Sequence, residues 1–190
     1  MPETPNTFTR AQLDWQPWVE PPAEAALTER QRVALLDAAR AKSAYFRLLA
    51  RDPEILEHRT RADWDIFRNP DAGLPRAERE LAATAASRLN GCIYCASVHA
   101  RLAASYAKRP EDVDRLLAEG VGASLGERWD AIVAAAAALS ETPPRFGATE
   151  VARLQAVGLD DLAILDLVSA TAFFGWANRL MLSLGEAAAP

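Results

Sequence analysis

Two cysteines, a histidine and a glutamate lie close together in this sequence and could perform thiol chemistry. Cys92 and Cys95 are three residues apart, His99 follows four residues later, and Glu80 precedes the first cysteine by twelve residues. A thiolate is a strong nucleophile, and an imidazole held by a carboxylate can accept the proton that the thiol must lose. These residue types therefore indicate a redox site of two thiols, a base and an orienting acid.

The spacing predicts that two helices joined by a turn position these groups. A predicted helix over 75–89 carries Glu80, and a second one over 92–108 carries the other three residues. The Asn-Gly pair at 90–91 is typical of a helix end followed by a reversal of the chain. At positions i and i+3 of a first helical turn, the two thiols share one face and can reach disulfide distance. The N-terminus of that helix favours a thiolate, and His99 lies one turn further along the same face.

The rest of the chain also predicts helices, so the expected fold class is all-α, a helical bundle. Apolar residues recur at helical spacing, for example over 27–50, and no segment shows the sustained alternation of a strand. The many alanines allow helices to pack closely. The signals at helix starts are Thr28 with Gln31, Asp52-Pro53, Ser124 with Glu127, and Asp160, whose helix should reach Leu184.

Two further features concern the organisation of the chain. Residues 1–26 are predicted to be an extended arm because prolines interrupt them, and 27–190 a single helical domain with the site in 75–108. Two related helical halves within the bundle are a further hypothesis, because Asp166 and Asn178 repeat the twelve-residue interval of Glu80 and Cys92. The arm carries aromatic residues that should dock on the body of the chain or on a neighbouring subunit: Phe8, Trp15 and Trp18.

Composition narrows the classes of function. With 21 basic and 26 acidic residues the formal net charge is −5, and no cluster of Lys or Arg makes a local basic face in the sequence. Nucleic acid and anionic membrane surfaces are therefore not expected partners. No apolar run reaches membrane-spanning length, and the N-terminal segment lacks the apolar core of a signal peptide. A cytoplasmic location is expected.

The intervals among the four residues resemble those of the alkylhydroperoxidase D family, part of the broader carboxymuconolactone decarboxylase-like superfamily. The family pattern is a Glu twelve residues before a Cys-x-x-Cys pair and a His four residues after it. Glu80, Cys92, Cys95 and His99 reproduce every interval. The flanking helical pattern is similar over roughly residues 30–185, and the chain looks closest to the branch of peroxidase-related proteins.

The resemblance implies an antioxidant thiol peroxidase. Cys95 would be the peroxidatic thiol, Cys92 the resolving thiol, and Glu80 with His99 the proton relay. The implied substrate is a hydroperoxide, and the implied reductant is an external dithiol, either a lipoylated or a thioredoxin-like protein, with no cofactor and no metal. One position departs from alkylhydroperoxidase D, which has a His just before the second Cys. Tyr94 stands there, and a phenol is a poor base at neutral pH.

Other readings of the same residues remain open. A general dithiol oxidoreductase or redox sensor needs only the cysteine pair. The superfamily also contains carboxymuconolactone decarboxylase-like enzymes, which need no cysteine pair. A zinc-binding module would use Cys92, Cys95 and His99, but its fourth ligand would have to be His58, which has no ligand motif around it.

A homo-oligomer is expected, because half of the residues of this small helical chain are apolar and the arm has no core pattern of its own. The resemblance adds dimers, trimers and hexamers as forms of assembly, with active sites near subunit interfaces.

Overall fold

The computed structural model describes residues 5–190, and this part of the chain forms nine α-helices and one two-stranded antiparallel sheet. The prediction of an all-α helical bundle is confirmed, and the small sheet is an addition to it. The elements are β1 (Asp14–Pro17), α1 (Glu29–Ala34), α2 (Ala44–Leu49), α3 (Pro53–Arg68), α4 (Arg76–Leu89), α5 (Ile93–Ala107), α6 (Pro110–Glu119), α7 (Glu127–Ser140), α8 (Ala148–Ala156), α9 (Asp161–Leu184) and β2 (Gly185–Ala188).

Helix α4 is the centre of the bundle, with α5, α7 and α9 packed against it. Every residue from 78 to 87 is buried, so this helix is enclosed on all sides rather than along one stripe. Four of these residues are alanines, which lets the neighbouring helices approach closely. A carboxylate on such a helix lies in the core and must find polar partners there, which is the situation of Glu80.

The turn between α4 and α5 forms as the Asn-Gly pair predicts. Gly91 adopts a φ of 80°, in the left-handed region that glycine tolerates best. The backbone N–H of Cys92 donates to the carbonyl of Ser87 at 3.0 Å, which closes the end of α4. The chain therefore reverses within two residues and brings the start of α5 back alongside α4.

The helix predicted over 27–50 is wrong as a single element. The structure has α1 and α2 separated by a 3₁₀ turn at Ala38–Lys42. Leu36 has a φ of 59°, which no α-helix accommodates, and the Asp37 side chain accepts from the N–H of Ala39 to start the 3₁₀ turn. Apolar spacing continues across this break because both short helices bury apolar residues, Ala34 in α1 and Tyr45 and Leu48 in α2.

The predicted helix starts have mixed outcomes. The capping box of Thr28 and Gln31 is present, and the side chain of Asp160 caps α9 by accepting from the N–H of Ala163 at 2.8 Å. The second capping box, of Ser124 with Glu127, is wrong. Helix α7 instead has Gly126 as its N-cap, at a φ of 94°, without a side-chain cap.

The N-terminal arm packs on its own chain. Strand β1 pairs with β2, so the segment after the last helix returns along the arm. Trp15 is 8% exposed and meets Tyr45 edge-on, whereas Trp18 is 61% exposed. Phe8 lies under the Arg88 guanidinium at 4.2 Å from its ring centre. The first four residues of the predicted arm lie outside the described residues, and the oligomeric state stays a prediction.

The interval between Asp166 and Asn178 does not reproduce the local structure of Glu80 and Cys92. Asp166 and Asn178 are on one continuous helix, α9, while Glu80 and Cys92 are on either side of the turn that joins α4 to α5. None of the helices formed by residues 5–190 is long and apolar enough to cross a bilayer.

Candidate active site

The cysteine pair lies at the start of α5, where the turn at Asn90-Gly91 places it next to α4. Cys92 is the N-cap residue of α5 and Cys95 is in its first turn. The two Sγ atoms are 2.6 Å apart, and both side chains are buried. Sulfurs this close need no backbone movement to exchange between dithiol and disulfide forms.

The two thiols differ in acidity. A hydrogen bond from the Cys95 thiol, together with the backbone N–H of Cys95, lowers the pKa of Cys92. Burial raises the pKa of Cys95, and the neighbouring Cys92 sulfur raises it further. Of the two thiols in the reduced pair, Cys92 is therefore the more acidic. Sequence reasoning expected the helix N-terminus to favour a thiolate, but the pKa is lowered only at Cys92, because burial outweighs the hydrogen bonds that Cys95 receives.

Glu80 and His99 form a close pair beside the thiols. Glu80 Oε2 lies 2.6 Å from His99 Nδ1, and Glu80 Oε1 accepts from Arg76 Nε at 3.1 Å. When Glu80 is ionised its carboxylate can only accept, so Nδ1 of His99 is the donor, and in the neutral imidazole Nε2 then has a free lone pair. The imidazole ring is fixed in place by Phe174, at 4.0 Å between ring centres, and by Phe67 at 5.2 Å.

These groups line one cavity of about 240 Å³. Cys95, His99 and Glu80 form one part of its wall, and apolar side chains from α3 and α9, including Phe67 and Phe174, form another. Cys92 is absent from the wall of this cavity. It borders a separate space of about 120 Å³ beside Gly91, Trp15 and the C-terminal strand. The two sulfurs of one pair thus face different spaces.

All four residues singled out by their spacing converge, and Asn178 joins them from α9. Its amide is within hydrogen-bonding reach of both sulfurs and lowers the pKa of each. Its Nδ2 also donates to Ser87 Oγ and its Oδ1 accepts from Asn90, each at 3.0 Å. The sequence offered Asn178 only as a repeat of Cys92. A buried asparagine on an otherwise apolar helix was the signal that could have placed it at the site.

Tyr94 lies between the two spaces, since it borders both. Burial raises the pKa of its phenol, so the hydroxyl stays protonated at neutral pH. Tyr94 can therefore donate a hydrogen bond but cannot serve as a base, as its residue type indicates.

The fourth ligand required by a zinc site is not beside the thiols. His58 is an exposed residue of α3, separate from the cavity that His99 lines. Within residues 5–190 no group of three or more His, Cys, Asp or Glu side chains is arranged to hold a metal ion.

Sequence reasoning missed the arginines of the cavity. Arg40, Arg59, Arg68 and Arg76 all line it, although they are spread over 37 residues of sequence. The sequence shows no basic cluster because these residues come from the 3₁₀ turn at 38–42, from α3 and from α4. The expectation that no local basic surface exists is therefore wrong for the interior of this cavity.

The fold and the dithiol together define an all-helical protein with a buried Cys-x-x-Cys site, and comparison with known proteins specifies the class. Residues 53–140 match the model of the carboxymuconolactone decarboxylase family. No curated protein matches the chain.

Solved structures share the fold over most of the chain. The alkylhydroperoxidase AhpD core of an uncharacterized peroxidase-related protein from Ralstonia eutropha JMP134 is 25% identical, with a TM-score of 0.73, over 92% of this chain and 90% of that chain. An uncharacterized peroxidase-related protein from Silicibacter sp. TM1040 is 22% identical, with a TM-score of 0.74, over 88% of each chain. The debrominase Bmp8 is 18% identical, with a TM-score of 0.68, over 87% of this chain and 89% of that chain.

The family match over residues 53–140 and the fold shared with the AhpD core support assignment to the alkylhydroperoxidase D-like, carboxymuconolactone decarboxylase-like superfamily, as the Glu-Cys-Cys-His intervals predict. Members of this superfamily are enzymes, and they include a debrominase as well as peroxidase-related proteins.

Proposed function

We propose that this protein is a thiol peroxidase that reduces organic hydroperoxides through a dithiol–disulfide cycle of Cys92 and Cys95. The observation that carries the proposal is the position of Cys95, in the wall of a cavity that also contains the Glu80–His99 pair, with Cys92 Sγ 2.6 Å from Cys95 Sγ. A nucleophile, a base and a resolving thiol are the parts that the reaction needs.

In the first step Cys95 attacks the hydroperoxide. Because burial raises its pKa, Cys95 needs a base, and Nε2 of His99 takes the proton while Glu80 holds Nδ1. The sulfur bonds to the terminal peroxide oxygen and the O–O bond breaks. His99 returns the proton to the leaving alkoxide, which departs as the alcohol. Cys95 is oxidised to a sulfenic acid, and the hydroperoxide is reduced by two electrons.

In the second step Cys92 resolves the sulfenic acid. Cys92, the more acidic thiol of the reduced pair, loses its proton and attacks the Cys95 sulfur as a thiolate. The S–O bond breaks, the S–S bond forms, and the hydroxide leaves as water with the proton that Cys92 has released. The two roles thus fall to thiols of different acidity: the less acidic thiol, assisted by a base, attacks the substrate, and the more acidic thiol closes the disulfide.

In the third step an external dithiol reduces the disulfide. One of its thiolates attacks a protein sulfur to form a mixed disulfide, and its second thiol releases the protein and is itself oxidised to a disulfide. The space beside Cys92 supports attack at that sulfur, because it is separate from the cavity in which the peroxide reacts. Cys95 would then be the leaving thiolate. A lipoylated or thioredoxin-like protein has the required dithiol chemistry.

Single-cysteine variants test the proposal. With cumene hydroperoxide and a dithiol reductant, Cys95→Ser should lose peroxide consumption. Cys92→Ser should consume one equivalent and retain a sulfenic acid on Cys95, which dimedone labelling and mass spectrometry detect. Undiminished turnover in both variants would overturn the proposal. Rapid formation of a sulfenic acid on Cys92 in the Cys95→Ser protein would instead reverse the two roles.

A general dithiol oxidoreductase is the second candidate, favoured by the separate opening beside Cys92. Stopped-flow measurements distinguish the two functions on the wild-type protein. A peroxidase oxidises its reduced pair faster with a hydroperoxide than with a small disulfide at equal concentration. The opposite order would favour the oxidoreductase.

A further inference from the structure

The cavity that contains Cys95 has an excess of positive charge. Four arginines line it against two carboxylates, Asp63 and Glu80, so the formal charge of its wall is +2 in a chain whose net charge is −5. Glu80 is already engaged by His99 and Arg76 near the thiols. The uncompensated charge therefore lies with the remaining arginines.

Two of these arginines share a single carboxylate. Arg40 Nη2 lies 3.4 Å from Asp63 Oδ2, and Arg59 Nη1 lies 3.7 Å from the same oxygen. At the second distance Arg59 and Asp63 form an ion pair but no hydrogen bond. Arg68, an exposed residue of α3 that also borders the cavity, adds a third positive charge.

Several polar hydrogens in this region have no acceptor. Within residues 5–190, Arg59 Nε and Nη1, Arg40 Nη1 and Tyr45 Oη are buried without a hydrogen-bond partner. All three side chains line the cavity, and Arg59 as a whole is 9% exposed. A buried donor without an acceptor lowers the stability of the folded protein, and more so when the group is charged. Unpartnered buried polar groups are uncommon in folded proteins, and four of the eight such atoms among residues 5–190 belong to side chains that line this cavity.

The charges of the cavity wall also favour the binding of an anion. Burial lowers the pKa of Arg40, and the nearby charges of Arg59 and Arg68 oppose its protonation further. A guanidinium nevertheless remains protonated in proteins. Burial raises the pKa of Tyr45, so its hydroxyl remains a donor as well. A bound anion would compensate the charges and accept from the unpartnered groups.

We propose that this part of the cavity binds the carboxylate of an organic substrate, so that the preferred substrates are small hydroperoxides that carry a carboxylate group. The inference rests on the proposed peroxidase function and adds the substrate class. A planar carboxylate matches the forked donors of a guanidinium, and Arg40, Arg59 and Tyr45 all line the cavity with donors that lack a partner among residues 5–190.

The rest of the cavity suits the body of such a molecule. Phe46 lies against the Arg40 guanidinium, Phe67 and Phe174 lie against His99, and together with Met181 they provide apolar wall in the same cavity. A volume of about 240 Å³ admits a small aromatic or aliphatic acid rather than a long acyl chain. With its carboxylate held by arginines, the molecule can direct its hydroperoxide towards Cys95.

Binding of an unreactive pair of compounds tests the inference without turnover. 4-Isopropylbenzoate and its uncharged amide, 4-isopropylbenzamide, have nearly the same shape and differ in charge. Isothermal titration calorimetry on the reduced full-length protein should give about 10- to 100-fold tighter binding of the carboxylate, as expected for hydrogen bonds to a charged group. Equal affinities, or tighter binding of the amide, would overturn the inference.

Matched arginine variants show which residues cause the preference for the carboxylate over the amide. Arg59→Met should reduce the carboxylate-to-amide affinity ratio to near one, and Arg61→Met should retain the wild-type ratio. Arg61 is on the same helix but is exposed and paired with Glu57, outside the cavity. If Arg59→Met does not fold, as judged by circular dichroism, Arg40→Met serves instead. A wild-type ratio in a folded Arg59→Met or Arg40→Met protein would contradict the assignment.

A turnover comparison separates this inference from the proposed function. The kcat/KM for the carboxylated derivative of cumene hydroperoxide should exceed that for cumene hydroperoxide by a similar factor. Consumption of both at equal rates overturns the carboxylate inference and leaves the peroxidase. A carboxylate preference in binding without consumption of either peroxide overturns the peroxidase and supports the anion site.

Discussion

The two ends of the cavity are built in opposite ways. At the thiol end, Cys95, His99 and Glu80 come from one helical hairpin, and each of these side chains has a partner at close range. At the guanidinium end, Arg40 and Arg59 come from separate segments and share one carboxylate, Asp63, while several of their donors have no hydrogen-bond partner among residues 5–190. The first end is complete in the ligand-free chain, and the second is not.

This difference indicates a division of labour. A catalytic group must be held before the substrate arrives, because its geometry has to be fixed when the bond breaks. A binding group can be left unsatisfied, because the ligand that completes it gains affinity from doing so. Changes at the thiol end should therefore lower the rate for every peroxide, and changes at the guanidinium end should alter the discrimination between charged and neutral ones.

The largest effect is expected for the base of the thiol end. His99→Ala should lower kcat/KM by about 10²–10⁴-fold for neutral and carboxylated hydroperoxides alike, because positioned acid–base groups contribute on that scale. His58→Ala, which changes an exposed histidine of α3, is the control and should match the wild type. A loss of kcat/KM in His99→Ala for only one class of peroxide would contradict the proposed division between catalysis at the thiol end and binding at the guanidinium end.

A smaller loss is expected for the residue that orients the base. Glu80→Gln should lower kcat/KM by about 10- to 100-fold, the usual scale for a buried group that orients a reacting one. Glu78→Gln is the matched control on the same helix. Glu78 pairs with Arg128 at 2.7 Å, away from the cavity, so its loss should lower the thermal midpoint but not the rate per folded molecule. Equal losses of turnover in the two variants would assign the role of Glu80 to stability alone.

A moderate increase in the preference for the carboxylate is expected from a change at the guanidinium end. Asp63→Asn removes the shared carboxylate and leaves Arg40 and Arg59 free to bind a substrate anion. The carboxylate-to-amide affinity ratio should rise by a few-fold, about 3- to 10-fold, since partly solvated ion pairs contribute about 1 kcal/mol. Asp65→Asn, an exposed position two residues away, should leave the ratio unchanged. A fall in the ratio in Asp63→Asn would mean that Asp63 positions the arginines rather than competing for them.

The smallest change concerns the titration of the thiols. The pKa of Cys92 is lowered chiefly by the hydrogen bond from Cys95, so in the reduced wild type the first thiolate should form at lower pH than an ordinary cysteine. Cys95→Ala removes that donor, and the midpoint for Cys92 should move to higher pH. In Cys92→Ala the remaining thiol, Cys95, should titrate above the ordinary value because burial disfavours its charge. Ultraviolet absorbance of the thiolate follows each curve. Superimposable curves for the two variants would contradict the assigned difference in acidity.

The sequence predicted most of the fold and the thiol end because the signals there are local. The limits of α4, α5 and α9 follow from residues such as Asn90-Gly91 and Asp160, which act on their own backbone neighbours. The parts of the fold that the sequence did not predict also have physical reasons. Leu36 adopts a left-handed conformation that apolar spacing cannot indicate, and β1 forms only because the far end of the chain lies beside it.

The sequence by itself determined that a glutamate, two thiols and an imidazole meet. Their spacing places them on two helices, and the turn between these helices brings the four residues side by side. Only the tertiary structure decided how these groups differ. Cys92 receives the hydrogen bonds of the helix start while Cys95 is buried against the cavity, and Asn178 arrives from the last helix. It also decided that Arg40 and Arg59 meet around Asp63. Hydrogen bonding, desolvation and charge balance depend on groups distant in sequence, and no interval within the chain encodes them.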